Sequence, residues 1–97
     1  NTHYNDAWAL DKALENPSAP HDVVDRAYLH GAYTTQERAA KHGNLSLDLH
    51  RQALTHAASH MRRAALENPL TDRDHLYKAE KDSDHTVSAL ASHFLAL

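Results

Sequence analysis

Ala13-Leu14-Glu15-Asn16-Pro17 returns letter for letter as Ala65-Leu66-Glu67-Asn68-Pro69, 52 residues later. Half of that offset orders the rest of the chain. Rows of 26 letters put Ala13, Ala39, Ala65 and Ala91 in one column, Asp22, Asp48 and Asp74 in a second, and Ala27, Ala53 and Ala79 in a third. Self-similarity at a fixed period is the mark of tandem units that each bury a face against the next.

The letters between the repeats read as helices. Only two glycines are present, and the 41% of hydrophobic letters is rich in alanine, a strong helix former. A first helix is predicted from about Asp6 as N-cap, through Ala9, Leu10, Ala13 and Leu14 on one face, to the break at Asn16-Pro17. Pro20 opens a second over His21 to His30, with Val23, Val24, Ala27 and Tyr28 inward and Gly31 as a left-handed stop. In the next unit, Thr34 or Thr35 caps a helix over Gln36 to His42 that carries Ala39 and Ala40. Ser46 caps Leu47 to Thr55, with Leu49, Ala53 and Leu54 buried. The third unit opens near Ser59 with Met61, Ala64, Ala65 and Leu66 inward. After Asn68-Pro69, a Thr71 or Asp72 cap starts a helix with Leu76, Ala79 and Tyr77. A last helix runs from about His85 through Val87, Leu90, Ala91 and Phe94.

These elements predict a single all-α domain over residues 1–97, an α-solenoid of about three and a half helix-pair repeats with a 26-residue period. The units fall at about 6–31, 32–57 and 58–83, with a half unit at 84–97.

Composition narrows the function. There is no cysteine, hence no disulfide framework and no thiolate chemistry, which fits a cytoplasmic, reducing setting. Apolar runs are too short for a membrane span, and the start lacks the pattern of a signal peptide. The formal net charge of −3 argues against nucleic acid as partner, although Arg38, Lys41, Arg51, Arg62 and Arg63 could form a local basic patch. The ten histidines outnumber that charge, so their full protonation would reverse its sign.

Histidine abundance invites a metal reading. His56 and His60 are four apart, but the repeat puts one at the end of a helix and the other at the start of the next, and no His-Glu-x-x-His motif is present. Solvated or turn-capping histidines are the expected arrangement, with no metal and no cofactor. Nor is there a nucleophile elbow or a phosphate-cradling glycine loop. The Asp22, Asp48 and Asp74 column has a sufficient structural reason in the helix dipole. The chain is accordingly read as having no catalytic residues.

The short helix ending in Asn-Pro, the turn, and the acid opening a second helix resemble the variant leucine-rich repeat family and its HEAT-like relatives. The resemblance is carried by Ala13 to Pro17 with Pro20 and Asp22, by Ala65 to Pro69 with Asp72, Asp74 and Leu76, and by Asp82-Ser83-Asp84-His85-Thr86-Val87. The second unit departs from it, with His42-Gly43 in place of Asn-Pro. The resemblance implies a right-handed solenoid used as a binding surface, and it brings no catalytic residue.

The expected function is therefore a non-enzymatic scaffold or adaptor for a protein partner, with a nucleic-acid-binding module as the alternative. Variable letters in regular columns should mark the contact surface: Gln36, Arg62 and Arg63 on first helices, and His50, Arg51, Tyr77 and Lys78 on second helices. Trp8 is either an interface anchor or a packed core residue. The apolar Phe94, Leu95 and Leu97 predict self-association.

Overall fold

A computed structural model describes residues 2–97, with side chains from residue 8 onward. Among the described residues there are seven helices and no strand: α1 Thr2–Ala13, α2 His21–His30, α3 Tyr33–Ala40, α4 Leu47–Leu54, α5 Ser59–Leu66, α6 Arg73–Ala79 and α7 His85–Leu95. None is long and apolar enough to cross a membrane.

The odd-numbered helices pack in sequence, α1 on α3, α3 on α5 and α5 on α7. Each even-numbered helix lies chiefly against the odd one that follows it. No two even-numbered helices pack extensively on each other. The body measures 44 × 23 × 20 Å.

Alanine explains the close odd layer. Ala39, Ala65 and Ala91, from the repeating column, are fully buried, and side chains this small let neighbouring helices approach closely. Larger side chains fill the space under the even helices. Val24, Tyr28, Leu45, Leu49 and Met61 join one apolar group, and Leu66, Val87 and Ala91 form a second, with Leu54 touching both.

Alanine buries little apolar area, so polar contacts carry a larger share of the register. One column does this directly. Asn16, His42 and Asn68 each accept the backbone N–H two residues on, at 2.9, 3.0 and 2.8 Å. The latter two also reach back along the chain: His42 Nε2 donates to the Asn16 carbonyl at 2.9 Å, and Asn68 Nδ2 to the His42 and Ala40 carbonyls at 2.8 and 2.9 Å. Because His42 Nδ1 accepts the Asn44 N–H, the ring proton sits on Nε2. His42 thus reproduces the acceptor and donor of an asparagine amide.

A second column ties helix starts to the preceding helix ends. Gln36 Nε2 donates to the Tyr28 carbonyl at 3.0 Å, and Ser88 Oγ to the Glu80 carbonyl at 2.9 Å. Arg62 stands between them in the column and reaches the His56 and Ala57 carbonyls at 2.7 and 3.1 Å. In a third column, His56 Nδ1 and Asp82 Oδ1 accept N–H groups two residues on, so turn capping by histidine is found at both His42 and His56.

Several expectations need correction. Helix α1 starts at Thr2, which places Asp6 inside it rather than at its cap, and Ala9 is exposed. Helix α3 begins at Tyr33 behind Ala32, which has no side chain to cap with; Thr35 is buried and donates to Asp11 Oδ1 at 3.3 Å. Ser46 precedes α4 without a side-chain cap bond, and its N–H goes to Asp25 Oδ1. At α6 the cap is Asp72, while the Thr71 hydroxyl turns in to the Ala65 carbonyl at 2.6 Å. Tyr77 points out, and Trp8 is 65% exposed, which removes its packed-core reading.

Gly31 is not left-handed. Its φ of −73° suits any residue, and what it supplies is space. A Cβ there would stand 2.5 Å from the Ala27 carbonyl oxygen and 2.8 Å from Thr35 Cγ2. Gly31→Ala is expected to destabilise by about 2 kcal/mol through overpacking at the α2–α3 corner. Chemical denaturation checks this, and an unchanged midpoint would show that the corner relaxes freely.

Candidate binding groove

Since the even helices stand apart, a trench opens between α4 and α6. It has a volume of about 430 Å³, within the range of ligand-sized clefts. Leu54, Leu66, Ala79 and Val87 give it an apolar lining. Arg51 and Thr55 line it from the α4 side, His75 and Lys78 from α6, and Arg62 and Asp82 complete it.

Arg62 and Asp82 form a fixed wall. Arg62 Nε and Nη2 donate to the two Asp82 carboxylate oxygens at 2.9 and 3.1 Å, a two-pronged pair whose side chains are only 17% and 14% exposed. With Nη1 on the two carbonyls of the α4–α5 turn, the guanidinium binds that turn to the one after α6.

Arg51 and Lys78 are different. Both are exposed, and neither has an ion-pair partner among the described residues. The groove therefore offers two uncompensated cations beside an apolar lining, in a chain whose formal charge is −3.

The other expected surface residues are scattered. Gln36 is half-buried and holds the Tyr28 carbonyl. Arg63 donates to the Thr86 hydroxyl and lies 4.0 Å from Asp84. Asp84 caps α7, and its carboxyl is drawn down to about 2, first by the Thr86 hydroxyl and then by the Val87 N–H. Tyr77 is half exposed beneath the Arg73 guanidinium, 5.9 Å from the ring centre. Phe94 and Leu95 are half-buried, and Leu97 is open.

His50 is inside, 1% exposed, in the column of Val24 and Leu76. Its Nε2 donates to Thr71 Oγ1 at 2.9 Å and approaches the Ala65 carbonyl at 3.2 Å, and its ring meets that of His75 edge-on at 5.6 Å. Burial holds its pKa below the ordinary 6.5, and the neighbouring His75 charge lowers it further. The Ala65 carbonyl and the Asp72 carboxylate oppose that shift.

Arg51, Arg62 and Lys78 are thus the expected residues that the fold brings together. Sequence reasoning missed His75 and Asp82. Asp82 carried one signal, its place in the column of His30 and His56, but nothing periodic pairs it with Arg62, 20 residues earlier.

Of the basic patch considered above, Arg38 is paired with Asp11, Lys41 with Glu67, Arg62 with Asp82 and Arg63 with Asp84, which leaves Arg51. Among the described residues no three histidine, aspartate or glutamate side chains converge as a metal site requires. Comparison with family models, curated proteins and solved structures finds no match to the chain.

Proposed function

We propose that the chain is part of a right-handed α-solenoid of 26-residue units, akin to variant leucine-rich and HEAT-like repeats, and that it serves as a non-enzymatic, cytoplasmic scaffold for a protein partner. The observation that carries this reading is the division of labour between the helix layers. The odd helices stack and hold register through side chains bonded 26 residues back, while the even helices stand apart and expose Arg51, Tyr77 and Lys78. Pairing of the neighbouring cations with carboxylates supports a protein partner over nucleic acid, since phosphate binding draws on cations free to displace counterions.

Duplication of residues 43–68 after Asn68 tests the architecture. A stack accepts the extra unit: the protein stays helical and folded, and X-ray scattering shows its 44 Å long axis extended by roughly 10 Å, one helix-packing distance. Aggregation, or swelling without elongation, would sink the repeat reading. Affinity capture from extract then tests the scaffold role. A defined polypeptide should be retained by the intact chain and lost on Arg51→Glu with Tyr77→Ala, whereas release of nucleic acid by salt would favour the other partner class.

A further inference from the structure

We infer that the α4–α6 groove accepts a short acidic segment of the partner protein, one that carries a leucine-sized side chain between carboxylates. This deepens the scaffold reading and rests on it. The argument is charge and shape complementarity. Arg51 and Lys78 line the groove without an ion-pair partner among the described residues, while the one carboxylate on its wall, Asp82, is held by both prongs of Arg62.

An apolar side chain seated over the half-exposed Leu54 and Ala79, above the buried Leu66 and Val87, would cover apolar surface at the groove floor, and two flanking carboxylates would meet the two free cations. The fixed Arg62–Asp82 wall means that the site needs little rearrangement to bind, and preformed sites lose less on association. A basic segment is opposed by Arg51 and Lys78. A stretch of duplex would gain two phosphate contacts from them but would have no use for an apolar trench about 430 Å³ in volume.

The test uses the whole chain and a labelled peptide of alternating aspartate and leucine, followed by fluorescence polarisation. Saturable binding is expected, weakened by added salt as exposed charge pairs are. The dissociation constant should rise about tenfold in an Arg51→Glu, Lys78→Glu double variant, a loss of about 1.4 kcal/mol. Both residues are exposed, so the variant's melting temperature should stay near that of the parent. Ala79→Phe, which fills the groove, should abolish binding, and a peptide with glycine in place of leucine should not bind.

Equal binding of a lysine–leucine peptide, binding indifferent to the double variant, preference for an oligonucleotide, or no binding would each overturn the assignment. If the double variant still captures the same polypeptide from extract, the groove assignment fails while the scaffold reading stands. If the intact chain captures none, the scaffold reading fails.

Discussion

Asn68→Ala is expected to destabilise the protein by about 3 kcal/mol, lowering the melting temperature by roughly 15 °C. Asn68 is 2% exposed, and its amide serves three backbone groups at once: the Ala40 and His42 carbonyls and the Leu70 N–H. Alanine would leave all of them to find new partners in a place with little water, and stranding a buried polar group costs more than forming its bond gains. His42→Asn is the matching control. Since the ring already accepts from the Asn44 N–H and donates to the Asn16 carbonyl, asparagine should hold stability within about 1 kcal/mol. Thermal melts followed by circular dichroism separate the two cases. If the asparagine replacement at 42 proved as damaging as alanine at 68, histidine would be doing something there that an amide cannot.

His50→Leu is expected to reduce the loss of stability as pH falls from 7.5 to 5.5, leaving the losses at lower pH that Asp84 and Asp72 bring. In the native chain the imidazole is buried and favours its neutral form, so its folded pKa lies below 6.5. As pH falls through 6.5, the unfolded chain takes up this proton before the folded one does. Stability present above that pH is then lost progressively until the buried ring itself protonates. Leucine, flanked in its column by Val24 and Leu76, cannot titrate, and the Thr71 hydroxyl keeps its bond to the Ala65 carbonyl. At pH 5.5 the variant should melt above the parent, and the gap should shrink toward pH 7.5. His75, beside His50, lies 3.2 Å from the Asp72 N–H and 3.1 Å from the Asp72 carboxylate. A parent whose melting temperature is level from pH 7.5 to 5 would contradict this account.

Helix positions and the inward alanines were largely legible in the sequence because both follow from local chemistry, the capping and breaking residues and the helical spacing of apolar letters. The span of α2 over His21–His30 and the openings of α4, α5 and α7 were read correctly, and Ala39, Ala65 and Ala91 are fully buried. The errors arose where tertiary contact overrides local signals. Thr35 looks like a cap, but it lies buried beside Asp11. Gly31 resembles a left-handed stop, but it is needed because the Ala27 carbonyl leaves no room for a Cβ. His50 sits among variable letters and so reads as surface, yet it is the polar member of a core column. The groove itself was half readable. Its cations stood out as departures from the column pattern, whereas the Arg62–Asp82 wall depends on how two separate turns meet.

The asymmetry between the helix layers also has a mechanical consequence. The odd layer packs helix on helix, whereas the even helices are joined to one another only through a few side chains, the Ser46 N–H on Asp25 and His50 against Thr71 and His75, so the even side is the more easily deformed of the two. Strain on the molecule would therefore act first on those few polar links, before any buried alanine is uncovered.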